Sequence, residues 1–151
     1  MTKNSVKPAV VEAESISTFQ VTVGATGSKF LIGIRDKKKI MGIKCPSCKK
    51  IYVPPRSHCP TCCVKMDEWV ELSGKGTLDT FTVVHYKEPY QPKEPPIVYG
   101  IIKLDGADTG LTHILGEVDP ANVKIGMRLE PVFKDEREAS LLDIDHFKPS
   151  S

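Results

Sequence analysis

All five cysteines of the 151-residue chain lie within one short stretch, KCPSCKKIYVPPRSHCPTCC. Four of them form two Cys-x2-Cys pairs, Cys45 with Cys48 and Cys59 with Cys62, separated by ten residues. Each pair predicts a tight turn that places two sulfurs on one side, and two facing turns make a tetrahedral four-sulfur site. The spacing therefore predicts a small ribbon folded around one structural zinc ion.

Four other interpretations of the cysteines are weaker. A four-sulfur site also suits the iron of a rubredoxin-like electron carrier, and unligated thiols or a redox pair stay open. Disulfides are disfavoured because the first residues, MTKNSVKPAVVEAES, lack the apolar core of a signal peptide, which predicts a cytoplasmic protein with reduced thiols. Four thiolates leave no open coordination position, so a bound zinc would not be catalytic. Cys63 is either a neighbour that points away or a substitute ligand, and four cysteines make His58 unnecessary.

The segments that follow the cysteines predict a β-barrel. Five segments have strand character, namely GTLDTFTVVHY, IVYGIIKL, LTHILGEV, MRLEPVFK and SLLDIDHF. DGADTG predicts a hairpin turn between strands at 97–104 and 111–118, and DPANVKIG predicts one helical turn capped by Asp119. Five antiparallel strands with a short helical element between the third and fourth match an OB-type barrel, and an SH3-like barrel is the alternative.

The segments before the cysteines predict a helix and a less regular start. SKFLIGIRDKKK predicts a short helix with Ser28 as its N-cap, and ISTFQVTV has a short strand-like character. The expected fold class is therefore mainly β, with an N-terminal helix and a rubredoxin-like zinc ribbon followed by a five-stranded OB-fold barrel. The expected domains are an extension at 1–26, the helix and ribbon at 27–68, and the barrel at 69–151.

Charge and hydropathy exclude several function classes. Twenty-one basic residues face nineteen acidic ones, a net charge of +2, so nothing demands nucleic acid or an anionic membrane as a partner. The chain has no run of eighteen apolar residues that would predict a membrane span. Single-stranded nucleic acid remains an alternative ligand, because rings such as Phe81, Tyr86 and Tyr99 suit base stacking on an OB face. A groove that follows phosphates normally carries a larger positive excess.

Several segments, taken in order, resemble the zinc-ribbon/OB-fold acyl-CoA-associated family. They are GSKFLIGIRDKKKIMGIKCPSC, YVPPRSHCPTC, WVELSGKGTLDTFTVVH, PPIVYGIIKLDGA, VKIGMRLEPVF and DIDHFKP. The resemblance covers about residues 27–149. Many family members have little sequence before the first helix, so the segment ISTFQVTVGATG is a departure.

The resemblance implies a partnership more than an activity. Such proteins are similar to small, non-catalytic subunits of thiolase-type complexes, in which a thiolase-fold subunit carries the catalytic residues and the small subunit shapes or closes the acyl-CoA site. Other relatives pair with hydratases or aldolases acting on acyl-CoA. A narrower resemblance to the small subunits of thiolases in anaerobic toluene degradation implies aromatic hydrocarbon catabolism and cleavage of a β-keto-acyl-CoA.

The residues agree with a chain that is not catalytic alone. No G-x-S-x-G nucleophile elbow occurs, and GATGSK lacks the spacing of a phosphate-binding Walker A loop. The phosphates of CoA need cations or backbone amides, and six basic residues flank the predicted helix end and the ribbon. They are Lys37, Lys38, Lys39, Lys49, Lys50 and Arg56. Tyr90 lies in KEPYQPKEPP, between the first two barrel strands, where OB folds commonly border a ligand. A solvated face and a plain surface connection are the competing interpretations.

Overall fold

The computed structural model describes residues 20–150 as a helix, a small ribbon sheet and a barrel. The elements in chain order are α1 Gly24–Lys37, β1 Ile40–Lys44, β2 Ile51–Tyr52, β3 Glu68–Leu72, β4 Gly76–Val84, β5 Ile97–Leu104, β6 Gly110–Leu115, β7 Arg128–Phe133 and β8 Ile144–Pro149. Most of the strand-like ISTFQVTV lies outside the described residues, and 20–23 form no regular element. In the described part of the chain, no helix has the length and apolar character needed to cross a membrane.

The helix α1 begins five residues earlier than predicted. Ser28 lies inside the helix and is not its N-cap, which is Val23 and makes no side-chain capping bond. Gly24 has a φ of 69° and donates its N–H to the hydroxyl of Thr22 at 3.2 Å, so the chain turns into the helix there. At the other end, Lys38 adopts a left-handed conformation and closes the helix.

The ribbon sheet has three antiparallel strands in the order β2-β1-β3. Ile43, the fourth residue of β1, pairs with Tyr52 on one side and with Trp69 on the other. The strand β3 therefore belongs to the ribbon sheet by hydrogen bonding, although it leads directly into the barrel.

The barrel is closed, with the strand order β4-β5-β6-β8-β7 of a five-stranded OB fold, and the expected fold class is confirmed. The helical turn at Pro120–Asn122 is also confirmed, because Asp119 accepts the N–H of Ala121 at 2.8 Å. The predicted fifth strand is too long at its start. Ser140 and Asp143 form a capping box around a 3-10 turn at Leu141–Asp143, and the strand begins after it.

One hydrophobic core joins the helix to the barrel. Phe30 and Ile34 of α1 are buried in the same cluster as the barrel residues Leu78, Ile102 and Phe147. A second, smaller cluster surrounds the cysteines. The helix is therefore held by burial on the barrel, because removing such apolar side chains from water contributes roughly 1.5–3 kcal/mol each.

The turn between β5 and β6 holds the ribbon against the barrel. Asp108 accepts the N–H of Ile51 with its carboxylate and donates its own N–H to the Ile51 carbonyl, both at 2.8 Å. The Thr109 hydroxyl accepts the N–H of Val53 at 2.8 Å and donates to the Val53 carbonyl at 2.9 Å. These four bonds satisfy the free edge of β2, so the ribbon is fixed to the barrel.

Candidate metal centre

The two Cys-x2-Cys turns have the same backbone hydrogen bonds. In each turn, the N–H of the first cysteine donates to the carbonyl five residues later, and the N–H four residues later donates back to that cysteine. The four bonds are Cys45 to Lys50 at 2.9 Å, Lys49 to Cys45 at 3.0 Å, Cys59 to Val64 at 2.9 Å, and Cys63 to Cys59 at 2.9 Å. The sequence repeat is therefore also a structural repeat.

This repeat explains the position of Cys63. Cys63 corresponds to Lys49 of the first turn, and both have left-handed backbones, with φ of 55° and 63°. The Cys63 side chain is exposed and is not among the four thiols that converge. Of the two alternatives for Cys63, the neighbour that points away is the observed one.

The sulfurs of Cys45, Cys48, Cys59 and Cys62 all lie within 4.8 Å of one another. The Sγ atoms of Cys48 and Cys59 are 3.7 Å apart. A tetrahedron with metal–sulfur bonds of ~2.3 Å has edges of ~3.8 Å, so the spacing fits zinc. Cys45 and Cys59 are buried and the other two thiols are half-buried, which agrees with a closed structural site.

Hydrogen bonds donated to the sulfurs of Cys45 and Cys59 stabilise their thiolate forms, which are the forms that bind a metal cation. Cys45 accepts the N–H of Cys48, and Cys59 accepts the N–H of Cys62, each at 3.4 Å. Cys59 has an additional partner in the buried phenol of Tyr52, whose oxygen lies 3.3 Å from its sulfur. The bond from Tyr52 lowers the pKa of Cys59 to about 6 and raises the pKa of Tyr52 to about 12.

The other thiols show why four sulfurs need a cation. A hydrogen bond with Ser47 favours the thiolate of Cys62, but burial and the thiols of Cys48 and Cys59 raise its pKa to about 11. Four thiolates this close repel one another, and a divalent cation removes that penalty when it binds. Cysteine ligation of a metal is coupled to proton release for the same reason.

Two segments of the chain match domains of a known protein, ChsH2. Residues 35–63 match the rubredoxin-like zinc ribbon domain of ChsH2, and residues 69–134 match its C-terminal OB-fold domain. A DUF35 domain-containing scaffold protein of Methanocaldococcus jannaschii is 35% identical over 106 residues, which are 70% of this chain and 74% of that protein. This chain belongs to the DUF35 family. The zinc ribbon match and the converged thiols together support zinc binding by this DUF35 protein.

Two further similarities are to an enoyl-CoA hydratase subunit and to a chain in an aldolase structure. A probable enoyl-CoA hydratase alpha subunit of Thermomonospora curvata is 29% identical over 115 residues, which are 76% of the DUF35 chain but only 34% of that subunit. The solved structure of the Ltp2-ChsH2(DUF35) aldolase contains a chain with a TM-score of 0.66 and 23% identity. That alignment covers 87% of this protein and 100% of that chain, and it establishes the shared fold.

The structure separates the residues that were expected to contact CoA. Lys37, Lys38 and Lys39 lie at the end of α1, and β1 (five residues, about 17 Å) separates them from the first cysteine turn. Arg56 is exposed in the loop between β2 and the second turn. Tyr90 is 81% exposed in the loop between β4 and β5. These five residues do not form one cluster around the cysteines.

Two buried histidines of the described residues are paired with groups other than nucleophiles. Both ring nitrogens of His146 are paired with carboxylates, Asp145 at 2.7 Å and Glu117 at 3.2 Å. His113 is buried, and its Nε2 pairs with the carbonyl of Leu141 at 3.2 Å. Neither of these two histidines is hydrogen-bonded to a serine or cysteine side chain, whereas the exposed His58 lies 3.2 Å from the hydroxyl of Ser57.

Sequence reasoning missed the residues that support the ribbon. Tyr52 lies between the two cysteine pairs, and only the folded hairpin shows that its hydroxyl reaches Cys59. Asp108 was expected only as a turn residue, and Thr109 was not considered.

Proposed function

We propose that this DUF35 protein is a non-catalytic, zinc-binding scaffold subunit of an enzyme complex that acts on acyl-CoA. The observation that carries the proposal is its 35% identity to a DUF35 scaffold protein, together with the names of the hydratase and aldolase relatives. The rigid join between ribbon and barrel suits a scaffold, because four hydrogen bonds from the β5–β6 turn fix their relative position.

The proposed zinc ligands are the thiolates of Cys45, Cys48, Cys59 and Cys62. The ion would be structural, because four protein ligands leave no position for a substrate. It would hold the two turns together, and with them the surface that a catalytic partner contacts. A cytoplasmic location belongs to the same proposal, because a reducing compartment keeps the thiols available for metal.

The proposed partner is a thiolase-fold catalytic subunit that cleaves a carbon–carbon bond of a β-keto-acyl-CoA. The scaffold would help to shape or close the acyl-CoA site. Aldolase-type and hydratase-type enzymes are the competing partners, and the names of two relatives favour them. The narrower assignment to aromatic hydrocarbon catabolism rests on sequence resemblance alone.

The outer face of β4, β5 and β6 argues against the alternative of single-stranded nucleic acid. A shallow groove of about 290 Å³ lies where OB folds bind oligonucleotides. In the described part of the chain, its lining is uncharged and includes Tyr99, Ile101 and Thr112. A nucleic-acid groove needs cations along the phosphates, and the residues that line this groove do not supply them.

Co-purification tests the proposal. The tagged chain is expressed with thiolase-, aldolase- or hydratase-type subunits encoded beside it, and the eluate is sized and assayed for zinc and acyl-CoA turnover. We expect a stable heteromer with about one zinc per chain. Cys48→Ser should lose zinc and assembly together, whereas the matched variant Cys63→Ser should retain both. A chain that forms no heteromer and instead retains a single-stranded oligonucleotide at physiological salt would refute the proposal.

A further inference from the structure

A groove with basic walls runs between α1 and the start of β1. Its volume is about 420 Å³, which is the size of a small-molecule site. Lys29 and Lys37 approach it from the helix, and Lys39 approaches it from the link between α1 and β1. Ile32 and Met41 provide an apolar surface between the three lysines.

The groove keeps a positive charge after its internal pairs are counted. Asp36 also lines it, but its carboxylate is paired with Arg35 at 2.7 Å. Lys39 is paired with Glu71 at 2.7 Å, and both side chains are about half exposed, so an incoming anion can compete for this lysine. The ammonium of Lys29 lies 4.5 Å from the centre of the Trp69 ring. This cation–π contact does not neutralise the positive charge of Lys29.

Gly33 is the second feature that indicates a site. It lies in the interior of α1, where glycine is less favourable than alanine. A Cβ on Gly33 would meet only Met41 at 3.9 Å and the Lys39 carbonyl at 4.0 Å, so packing does not require glycine. Gly33 itself lines the groove, and a side chain there would project into it. The helix therefore carries a destabilising residue at the place where a side chain would fill the groove.

We infer that this groove binds a phosphate-bearing small molecule, with the phosphates on the lysines and a neutral part against Ile32 and Met41. If the proposed function holds, that molecule is the acyl-CoA of the complex, whose nucleotide end carries three phosphates. The same chemistry is present in inorganic phosphate, which lacks the neutral part. An acidic segment of a partner protein is a different occupant, and a concave site of this volume favours the small molecule.

The test is a titration of the full-length, zinc-loaded chain followed by amide chemical shifts. The probes are CoA, dephospho-CoA without the 3′-phosphate, pantetheine without phosphates, and inorganic phosphate. We expect CoA to shift the amides of Gly33 and Met41, dephospho-CoA to bind more weakly, and pantetheine to cause no shift there. Inorganic phosphate should bind more weakly than CoA, because it makes no apolar contact. Higher salt should weaken CoA binding, because it screens exposed charges.

Two variants make the result specific to the groove. Lys37→Gln should weaken CoA binding about fivefold, which corresponds to the loss of one exposed ion pair. Gly33→Leu keeps every lysine and should abolish binding by filling the groove. The exposed Lys124, on the turn before β7, provides the control, and Lys124→Gln should bind as the unmodified chain does.

Four results would overturn the inference. The first three are CoA-induced shifts at amides other than Gly33 and Met41, binding of pantetheine as tight as that of CoA, and an unchanged CoA affinity in Lys37→Gln. The fourth is a chain that binds no CoA and whose Lys37→Gln variant loses the heteromer, which would indicate that an acidic segment of the partner occupies the groove. Assembly is scored separately by co-purification. A normal heteromer without CoA at the groove refutes only this inference, and CoA at the groove of a chain that joins no acyl-CoA enzyme refutes only the proposed function.

Discussion

Tyr52→Phe removes one hydrogen bond from the metal centre and leaves the ring in place. The phenol oxygen is 3.3 Å from the sulfur of Cys59, and the side chain is only 4% exposed. Because phenylalanine fills the same volume, the variant creates no large cavity. The lost interaction is a hydrogen bond to a charged acceptor, which contributes about 1.5–3 kcal/mol.

That free energy predicts a decrease in zinc affinity. Cys59 accepts two hydrogen bonds, from Tyr52 and from the N–H of Cys62, whereas Cys45 accepts one, from Cys48. The variant makes the two turns equivalent. We expect zinc to bind about 10- to 100-fold more weakly at pH 7, the usual effect of removing a group that hydrogen-bonds to a metal ligand.

Competition with a chromophoric chelator measures this difference directly. Tyr99→Phe is the matched control, because Tyr99 lies on β5 of the barrel, away from the cysteines, and it should leave zinc affinity unchanged. The zinc-loaded Tyr52→Phe chain should keep its far-UV circular dichroism. Equal zinc affinities for Tyr52→Phe and the unmodified chain would show that the hydroxyl does not stabilise the ligand and that the reasoning is wrong.

Three further predictions concern stability, measured by urea unfolding. Thr109→Val should lower the free energy of unfolding by about 1–3 kcal/mol, because it leaves the N–H and carbonyl of Val53 unpaired. Gly76→Ala should destabilise the barrel by at least about 1–3 kcal/mol, because its Cβ would lie 2.5 Å from the carbonyl oxygen of Lys103. Stability should also decrease as pH falls below about 6.5, because burial lowers the pKa of His113 and the unfolded chain binds its proton first. His113→Gln should make this region of the pH profile flatter.

Each of these predictions has a contrary result. An unfolding free energy for Thr109→Val within about 0.5 kcal/mol of the unmodified value would mean that the turn does not hold the ribbon. A Gly76→Ala chain of normal stability would mean that β4 and β5 separate at little cost. If the His113→Gln chain still loses the same stability between pH 6.5 and about 5, a group other than His113 takes up the proton that destabilises the fold.

Local chemistry explains which features of the fold could be predicted from sequence. The spacing of Cys45, Cys48, Cys59 and Cys62 was sufficient for the ribbon, since each turn closes its own hydrogen bonds. Turn residues likewise predicted the β5–β6 hairpin and the capped turn after Asp119. Both depend on neighbours within a few residues, so the local sequence contains the information.

Features that depend on distant residues were not predictable in this way. The bonds between β2 and the β5–β6 turn join residues 56 or 57 positions apart, such as Val53 and Thr109. The early start of α1 depends on the unusual backbone of Gly24, which has no strong sequence pattern. The groove lined by Lys29, Lys37 and Lys39 likewise depends on how α1 packs beside β1, which the sequence does not show.

Reconstitution of activity tests the central claim, that this chain is a non-catalytic scaffold for an acyl-CoA enzyme. The co-purifying catalytic subunit is held at fixed concentration, the zinc-loaded chain is titrated into it, and the rate of acyl-CoA turnover is followed. The account predicts no turnover by either component alone and a rate that saturates at a fixed ratio of chain to catalytic subunit. Full turnover by the catalytic subunit alone, or turnover by this chain alone, would contradict it.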